Sequence, residues 1–179
     1  AALLLNTKVR AMRFFRTIYY MPSLLPVAVS SALWLWLYNK QFGLFNIILD
    51  LFGLPHQEWV FGINSVIPSL IIMSIWGIGN TIVIFLAGLQ SIPQELMEAV
   101  AIDGGKAWHR FRHVILPITS PVIFYNVVIG IIGGLQTFTQ PYLMTNGGPA
   151  NASLFYVLHL YRQAFMYSNM GYACAMAWF

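Results

Sequence analysis

The sequence predicts an all-α protein that lies in a membrane. Of its 179 residues, 59% are hydrophobic and only 8% are charged, whereas soluble domains average about 45–50% apolar and about 25% charged residues. The mean hydropathy is +0.70, and so few charges could hardly cover the surface of a soluble domain of this length. Long uncharged stretches, described below, point to helices that cross a bilayer.

The same composition excludes other classes of protein. A single cysteine, Cys174, excludes a disulfide framework, and the net charge of +4 excludes a strongly acidic chain. The apolar content excludes intrinsic disorder. Most of the nine Lys and Arg residues flank apolar runs, so we expect them to set the membrane orientation and not to bind nucleic acid. Because the chain starts and ends in apolar sequence, we expect an internal piece of a longer membrane protein.

Three uncharged stretches are long enough to cross a bilayer, whose apolar core is about 30 Å thick and needs about 20 residues of helix. Prolines inside them are tolerated in membrane helices when neighbouring groups satisfy the freed carbonyls. The sequence therefore predicts a polytopic helical bundle. Its predicted spans cover about residues 17–38, 64–89 and 114–135, with partial spans at residues 1–5 and 171–179.

Loop charges predict the orientation of these spans. Residues 6–16 and 90–113 hold seven of the nine basic residues, namely Lys8, Arg10, Arg13, Arg16, Lys106, Arg110 and Arg112. Basic loops stay in the cytoplasm, so we expect these two segments there and residues 39–63 and 136–170 outside. An outer aromatic belt would then contain Trp34, Trp36, Tyr38 and Trp59.

Two outer segments have recognisable local patterns. Residues 42–49 are too short to span a membrane and predict a short amphipathic helix on its surface. Residues 145–149, Thr-Asn-Gly-Gly-Pro, predict a turn, because the paired glycines permit positive φ and Pro149 stiffens the exit. In the third span, the Gly130-x-x-x-Gly134 spacing predicts a close helix contact.

The cytoplasmic segment 90–113 predicts two helices separated by a turn. Ser91 is expected to cap the first helix, and Gln94 three residues later completes a capping box. Gly104 and Gly105 are expected to end that helix in a left-handed turn. A second, basic helix begins near Lys106 and enters the membrane. This helical segment would protrude from the membrane and offer a surface to a cytoplasmic partner.

The residues of this segment resemble the EAA loop of ABC importer permeases. Glu98-Ala99-Val100-x-x-Asp103-Gly104-Gly105 is followed at the family's spacing by Val114-x-Leu116-Pro117. Val100 and Val114 stand where the family usually has alanine and isoleucine. Residues 15–18, 85–93 and 145–149 look like the carbohydrate-uptake branch, and more narrowly like its maltose- and glycerol-3-phosphate-type first permease.

This resemblance implies part of a type I importer transmembrane domain in a bacterial cytoplasmic membrane. It implies that a coupling loop docks on an ATPase, where Glu98 and Asp103 can pair with basic groups. The implied partners are a second permease, two cytoplasmic ATPase subunits that carry ATP and Mg, and an extracytoplasmic solute-binding protein. The coupling loop consists of Glu98, Ala99, Val100, Asp103, Gly104, Gly105, Leu116 and Pro117.

The sequence predicts neither an enzyme nor a cofactor site. Gly105-Lys106 is followed by Ala107 and lacks the upstream glycine of a phosphate-binding loop, so ATP hydrolysis is expected on a separate subunit. His109 and His113 lie one helical turn apart, but no carboxylate or cysteine joins them as a metal ligand. No catalytic constellation is predicted.

Polar and aromatic residues in and beside the spans predict a solute path, since polar groups there usually face protein or water. Hydrogen bonding between helices is the alternative role for such side chains. A non-carbohydrate solute remains open for the same fold, and a channel is a more distant alternative. The candidate path residues are Asn80, Tyr125, Asn126, Gln136 and Tyr142.

Overall fold

The computed structural model describes residues 12–178, which form helices joined by turns, with no strand in this range. This confirms the prediction of an all-α fold. In chain order the helices are α1 (Met12–Tyr20), α2 (Val27–Leu37), α3 (Leu44–Leu51), α4 (Val66–Trp76), α5 (Gly79–Gln90), α6 (Gln94–Ile102), α7 (Ala107–Arg110), α8 (Leu116–Leu135), α9 (Thr139–Met144), α10 (Tyr156–Tyr161) and α11 (Met170–Ala177). A 3-10 turn covers Met21–Leu24, and wider π-helical turns cover Phe111–Ile115 and Arg162–Met166.

One helical segment among the described residues, Ala107–Met144, is long and apolar enough to cross a membrane. Two broken helix pairs reach the same length and composition if each pair is counted as one span, which would make three. The third predicted span, residues 114–135, lies inside Ala107–Met144. The predicted partial span at residues 1–5 lies outside the described residues.

The first two predicted spans are not continuous helices in the structure. Residues 17–38 break between α1 and α2, where Pro22 and Pro26 each remove a backbone donor and disfavour helix at the preceding residue. Residues 64–89 break at Gly77 and Ile78, between α4 and α5. Glycine has the weakest helix propensity of any residue except proline. The apolar pattern therefore predicts the length of each segment but not its break.

The described part of the chain divides into two compact units, one made of residues 12–24 and 76–131 and the other of residues 25–75 and 132–178. In the first unit, two glycines of α5 permit close packing. A β carbon built on Gly79 would lie 2.7 Å from the Tyr19 carbonyl oxygen, and one built on Gly88 would lie 3.0 Å from Val122 Cγ2. Helix α5 therefore contacts α1 at one end and α8 nearer the other.

The second unit is built around an aromatic cluster. Trp34 and Tyr38, at the end of α2, lie with ring centroids 5.2 Å apart, and Phe45 and Trp59 complete the cluster. The Tyr38 hydroxyl donates to the Ser69 carbonyl of α4 at 2.8 Å. Trp34 and Tyr38 are buried inside the protein, so their predicted place in an outer aromatic belt is wrong. Trp36 remains exposed.

Asn46 connects the predicted short helix at residues 42–49 to the rest of the second unit. That helix is α3, and its Asn46 is fully buried. The side-chain nitrogen donates to the carbonyls of Lys40 and Gln57 at 3.1 Å each. The side-chain oxygen accepts from the Gln57 amide at 3.1 Å and from Trp59 Nε1 at 2.9 Å. One buried amide thus fixes the chain on both sides of α3.

Candidate functional site

Helix α6 ends in a two-glycine turn with both hydrogen bonds of a Schellman motif. The Gly105 amide donates to the Val100 carbonyl at 2.8 Å, and the Gly104 amide donates to the Ala101 carbonyl at 3.1 Å. Gly104 has φ +75°, a left-handed conformation that a side chain disfavours. The predicted left-handed end of the helix is therefore confirmed.

The start of α6 differs from the prediction. The helix begins at Gln94 with Pro93 as its N-cap residue and without a side-chain cap. The Ser91 hydroxyl donates backwards to the Gly88 carbonyl at 2.8 Å. Ser91 is the C-terminal cap residue of α5, so it lies too early to cap α6. The predicted capping box of Ser91 and Gln94 is wrong.

The candidate coupling residues lie on an open surface of the first unit. Glu98, Ala99, Asp103 and Gly104 are exposed, as are Leu116 and Pro117, while Val100 and Gly105 are half-buried. Between side chains that the structure describes, the Lys40–Glu58 ion pair and the His56–Asp50 contact both lie in the second unit. Among these described side chains no cation therefore pairs with the carboxylate of Glu98 or Asp103.

Two large apolar side chains beside the turn are also exposed, although neither belongs to the family motif. Ile102, the last residue of α6, is 86% exposed, and Trp108 on α7 is 64% exposed. Leu96, Ala99 and Val100 recur at three- and four-residue spacing on one face of α6, and Ile102 lies off that face. An apolar residue off the apolar face is the sequence signal that could have found Ile102. Both side chains lie in the predicted cytoplasmic segment, outside the predicted spans.

Beyond the turn, α7 leads through a π-helical turn into α8. The Leu116 amide donates to the Phe111 carbonyl, five residues back. This wide turn lies next to Pro117, whose ring would clash with the carbonyl four residues earlier in a regular α-helix. Trp108 stacks on Phe111 with ring centroids 5.6 Å apart. The predicted basic helix after Lys106 is therefore present and is continuous with α8.

His109 and His113 stack with centroids 6.1 Å apart, and the His113 ring contacts the His109 carbonyl oxygen at 3.2 Å. Within the described residues, no group of three or more His, Cys, Asp or Glu side chains has the geometry to hold a metal ion. The pair therefore lies on the helix surface without the third ligand that a metal site needs.

The candidate path residues of the first unit lie on α5 and α8. Asn80 and Tyr125 are exposed, and Asn126 is half-buried. The Asn126 side-chain nitrogen donates to the Val122 carbonyl of its own helix at 2.8 Å. Its side-chain oxygen can accept a further hydrogen bond.

The other two candidates, Gln136 and Tyr142, belong to the second unit and lie in different surroundings. Gln136 lines a cavity of about 410 Å³ together with Leu135, Tyr156 and Leu160. Tyr142 stacks on Phe138 with centroids 5.1 Å apart and contacts Tyr161 edge-on at 5.5 Å. A hydrogen bond with Tyr142, and the charge of that neighbour, raise the pKa of Tyr161.

The predicted turn at residues 145–149 is part of a larger outer loop, residues 145–153, which we call the clasped loop. Inside it, the hydroxyls of Thr145 and Ser153 contact each other at 2.6 Å, and Ser153 also donates to the Gly148 carbonyl at 2.6 Å. Asn146 and Gly147 have φ +45° and +80°. The predicted turn is therefore confirmed, and Gly147, the first of its two glycines, adopts the expected left-handed conformation.

Arg162, which follows the clasped loop in the sequence, hydrogen-bonds to both ends of the loop. One guanidinium nitrogen, Nη2, donates to the Asn146 carbonyl, and the other, Nη1, donates to the Asn151 side-chain oxygen at 3.2 Å. Neither contact was predicted, because the partners are 16 and 11 residues away in the sequence. The sequence signal was only a lone arginine in an outer segment.

Known proteins place these features in one family. The sequence profile described as "Binding-protein-dependent transport system inner membrane component" matches residues 1–179. Among solved structures, the crystal structure of a bacterial alginate ABC transporter in complex with alginate pentasaccharide-bound periplasmic protein is similar, with a TM-score of 0.88 and 22% identity. The similarity covers 98% of this chain and 62% of that one, and it supports the fold.

Relatives of higher identity are transporter permeases. The probable ABC transporter permease protein YesP of Bacillus subtilis is 37% identical over 99% of this chain and 58% of its own length. The trehalose/maltose transport system permease protein MalF of Thermococcus litoralis is 34% identical over 95% of this chain and 57% of its own. The chain thus spans less than two thirds of these relatives. The predicted likeness to carbohydrate-uptake permeases is confirmed, and the chain belongs to the family of binding-protein-dependent transport system inner membrane components, the permeases of ABC transporters.

Proposed function

We propose that the chain is part of a permease subunit of an ATP-driven, binding-protein-dependent importer for a sugar or sugar-like solute. The observation that carries the proposal is helix α6 with its two-glycine turn, exposed in a chain of this family. The permease would cross the bacterial cytoplasmic membrane several times. It would work by alternating access beside a second permease.

The energy would come from two cytoplasmic ATPase subunits that bind ATP and Mg, because this chain has no phosphate-binding loop. Helix α6 would dock in a cleft on one of them. Ile102 offers apolar contact area there, and the carboxylates of Glu98 and Asp103 offer charge to cationic groups. The turn at Gly104 and Gly105 would hold α6 at a fixed angle to α7.

Relatives support the carbohydrate class. Besides MalF, the arabinooligosaccharides transport system permease protein AraP of Bacillus subtilis is 34% identical over 98% of this chain and 57% of its own length. Asn80, Asn126 and Gln136 would hydrogen-bond sugar hydroxyls. Tyr125 and Tyr142 would offer aromatic faces to the apolar faces of sugar rings, an amphipathic pairing that suits such side chains.

An extracytoplasmic solute-binding protein would deliver the solute to the outer segments.

The test of the proposed function is reconstitution of the full-length chain with the proteins that copurify with it in mild detergent, once each has been identified and produced separately. Binding protein loaded with its sugar is expected to stimulate ATP hydrolysis and sugar uptake into vesicles. Glu98→Lys should abolish this stimulation without affecting membrane insertion.

Two outcomes would contradict the proposal. Solute flux that needs neither ATP nor a partner would indicate a channel. Stimulation only by a binding protein loaded with a non-carbohydrate solute would retain the importer and reject the sugar.

A further inference from the structure

The clasped loop has strained backbone conformations, which contacts with neighbouring residues must stabilise. Three of its non-glycine residues have positive φ, namely Asn146 at +45°, Ala150 at +48° and Asn151 at +61°. Asparagine tolerates this region, but alanine rarely adopts it. Such conformations persist where surrounding contacts over-determine them, and they cluster at functional positions.

Arg162 supplies such contacts from two directions. Its guanidinium bridges the Asn146 carbonyl and the Asn151 side chain, which lie on opposite arms of the loop. A β carbon built on Gly147 would lie 2.8 Å from Arg162 Nη2. The guanidinium therefore occupies the space that a side chain at residue 147 would need, and the loop and the arginine fit as a pair.

The outward side of the loop is not covered by the described part of the chain. Asn146, Ala150 and Asn151 are exposed, whereas Gly147 and Ser153 are buried. Pro149 lines a cleft of about 760 Å³, whose other wall carries the polar side chains of Gln57, Glu58, Asn64 and Ser65. The positive-inside pattern predicts that both walls of the cleft lie on the outer, extracytoplasmic side of the membrane.

This cleft suits a protein surface better than a free sugar. Small-molecule sites bury most of their ligand in an enclosed pocket, whereas this cleft opens widely to solvent. Its walls combine hydrogen-bonding side chains with the exposed apolar side chains of Phe61 and Ile63 beside it. Mixed polar and apolar surfaces of this kind are typical of non-obligate protein interfaces.

We propose that Arg162 is a positioning residue that holds the clasped loop in the form that an extracytoplasmic binding protein contacts. The inference rests on the proposed function and adds a docking surface to it. Arg162 itself is half-buried behind the loop. It would act through the loop, by fixing Pro149 and the exposed residues beside it before the partner arrives.

The test measures ATP hydrolysis by the reconstituted full-length transporter as the concentration of its purified, solute-loaded binding protein is raised. Arg162→Gln is expected to raise the half-saturating concentration at least tenfold and to leave basal hydrolysis without binding protein unchanged. Gly147→Ala, which displaces the guanidinium from the other side, should act in the same direction. Gln41→Ala, at an exposed residue of the outer segments that lies in neither the clasped loop nor the cleft, serves as the control and should change nothing.

A double variant separates positioning from general support. Because Arg162 and Asn151 share one interaction, adding Asn151→Gly, which removes the side chain at a positive φ that glycine tolerates, to Arg162→Gln should cause little further loss. An unchanged half-saturating concentration in Arg162→Gln would overturn the proposal. Equal losses of basal hydrolysis and of stimulation would also overturn it, since they would indicate a purely structural role. A wild-type transporter that does not respond to any binding protein would instead reject the proposed function.

Discussion

Val100 and Gly105 are in contact across the turn that ends α6. The Gly105 amide donates to the Val100 carbonyl at 2.8 Å, and a β carbon built on Gly105 would lie 2.5 Å from Val100 Cγ1. It would also lie 2.7 Å from the Val100 carbonyl oxygen. Residue 105 must therefore be glycine while the turn keeps this form, and the valine at residue 100 makes that requirement stricter.

Gly105→Ala is expected to open the turn and to lower ATP-coupled uptake at least tenfold. A clash with a backbone oxygen cannot be relieved by a change of side-chain rotamer, so the hydrogen bond to Val100 is lost with it. Adding Val100→Ala removes one clash and leaves the other, so it should restore only part of the uptake. Uptake and ATP hydrolysis by the reconstituted transporter measure both effects.

Gly104→Ala is the matched comparison and should be milder. Nothing lies within 4 Å of a β carbon at residue 104, so the cost is the left-handed backbone alone, about 1–2 kcal/mol. The turn is expected to keep both of its hydrogen bonds in this variant. A larger loss of uptake in Gly104→Ala than in Gly105→Ala would contradict the steric account of this turn.

Ile102→Asp is expected to weaken retention of the ATPase subunits by at least tenfold. Ile102 is 86% exposed, so the change should cost the fold little, while it places a charge where we expect an apolar contact. Copurification of the ATPase with the full-length chain, followed by titration of ATPase binding, measures the effect.

Phe42→Asp is the control for Ile102→Asp. Phe42 is also a large exposed apolar residue, but the charge pattern places it on the outer side. The ATPase should remain bound to this variant. Equal retention by the two variants would mean that α6 is not the docking surface.

The local features of this chain are those that the sequence could predict. Helix α3, the left-handed end of α6 and the turn at residues 145–149 depend on neighbouring residues and on glycine conformation, and all three are present. The capping role of Ser91 failed because Pro93 sets the start of α6 two residues later.

Patterns of neighbouring residues do not predict contacts between residues that are far apart in the sequence. Asn46 reads as an ordinary polar residue of a surface helix, yet its partners Gln57 and Trp59 lie 11 and 13 residues away. The Gly130-x-x-x-Gly134 spacing predicts a close contact, but within the described residues nothing lies within 4 Å of a β carbon at either glycine. Which side chains meet is decided by the packing of whole helices, and a spacing rule does not contain that information.

Asn46→Ala is expected to destabilise the protein by about 3 kcal/mol or more. The change removes the hydrogen bonds of the Asn46 side chain with Lys40, Gln57 and Trp59, and each hydrogen bond is worth about 1 kcal/mol net. Thermal unfolding of the purified full-length chain in detergent measures the effect. Asn64→Ala removes the same kind of side chain at an exposed position and should leave the unfolding temperature unchanged. Equal effects of the two variants would mean that the Asn46 contacts do not stabilise the second unit.

Two substitutions at Tyr38 should separate its hydrogen bond from its ring. Tyr38→Phe removes only the 2.8 Å bond to the Ser69 carbonyl, which is worth about 1 kcal/mol net. Tyr38→Ala also removes the fully buried ring that stacks on Trp59 at 5.3 Å, and losing a buried aromatic side chain costs about 3–5 kcal/mol. Unfolding followed by tryptophan fluorescence should therefore show a small loss of stability for Tyr38→Phe and a loss several times larger for Tyr38→Ala. Tyr167→Phe, at an exposed tyrosine, should show none. If Tyr38→Phe is as damaging as Tyr38→Ala, the hydroxyl and not the aromatic cluster holds α2 against α4.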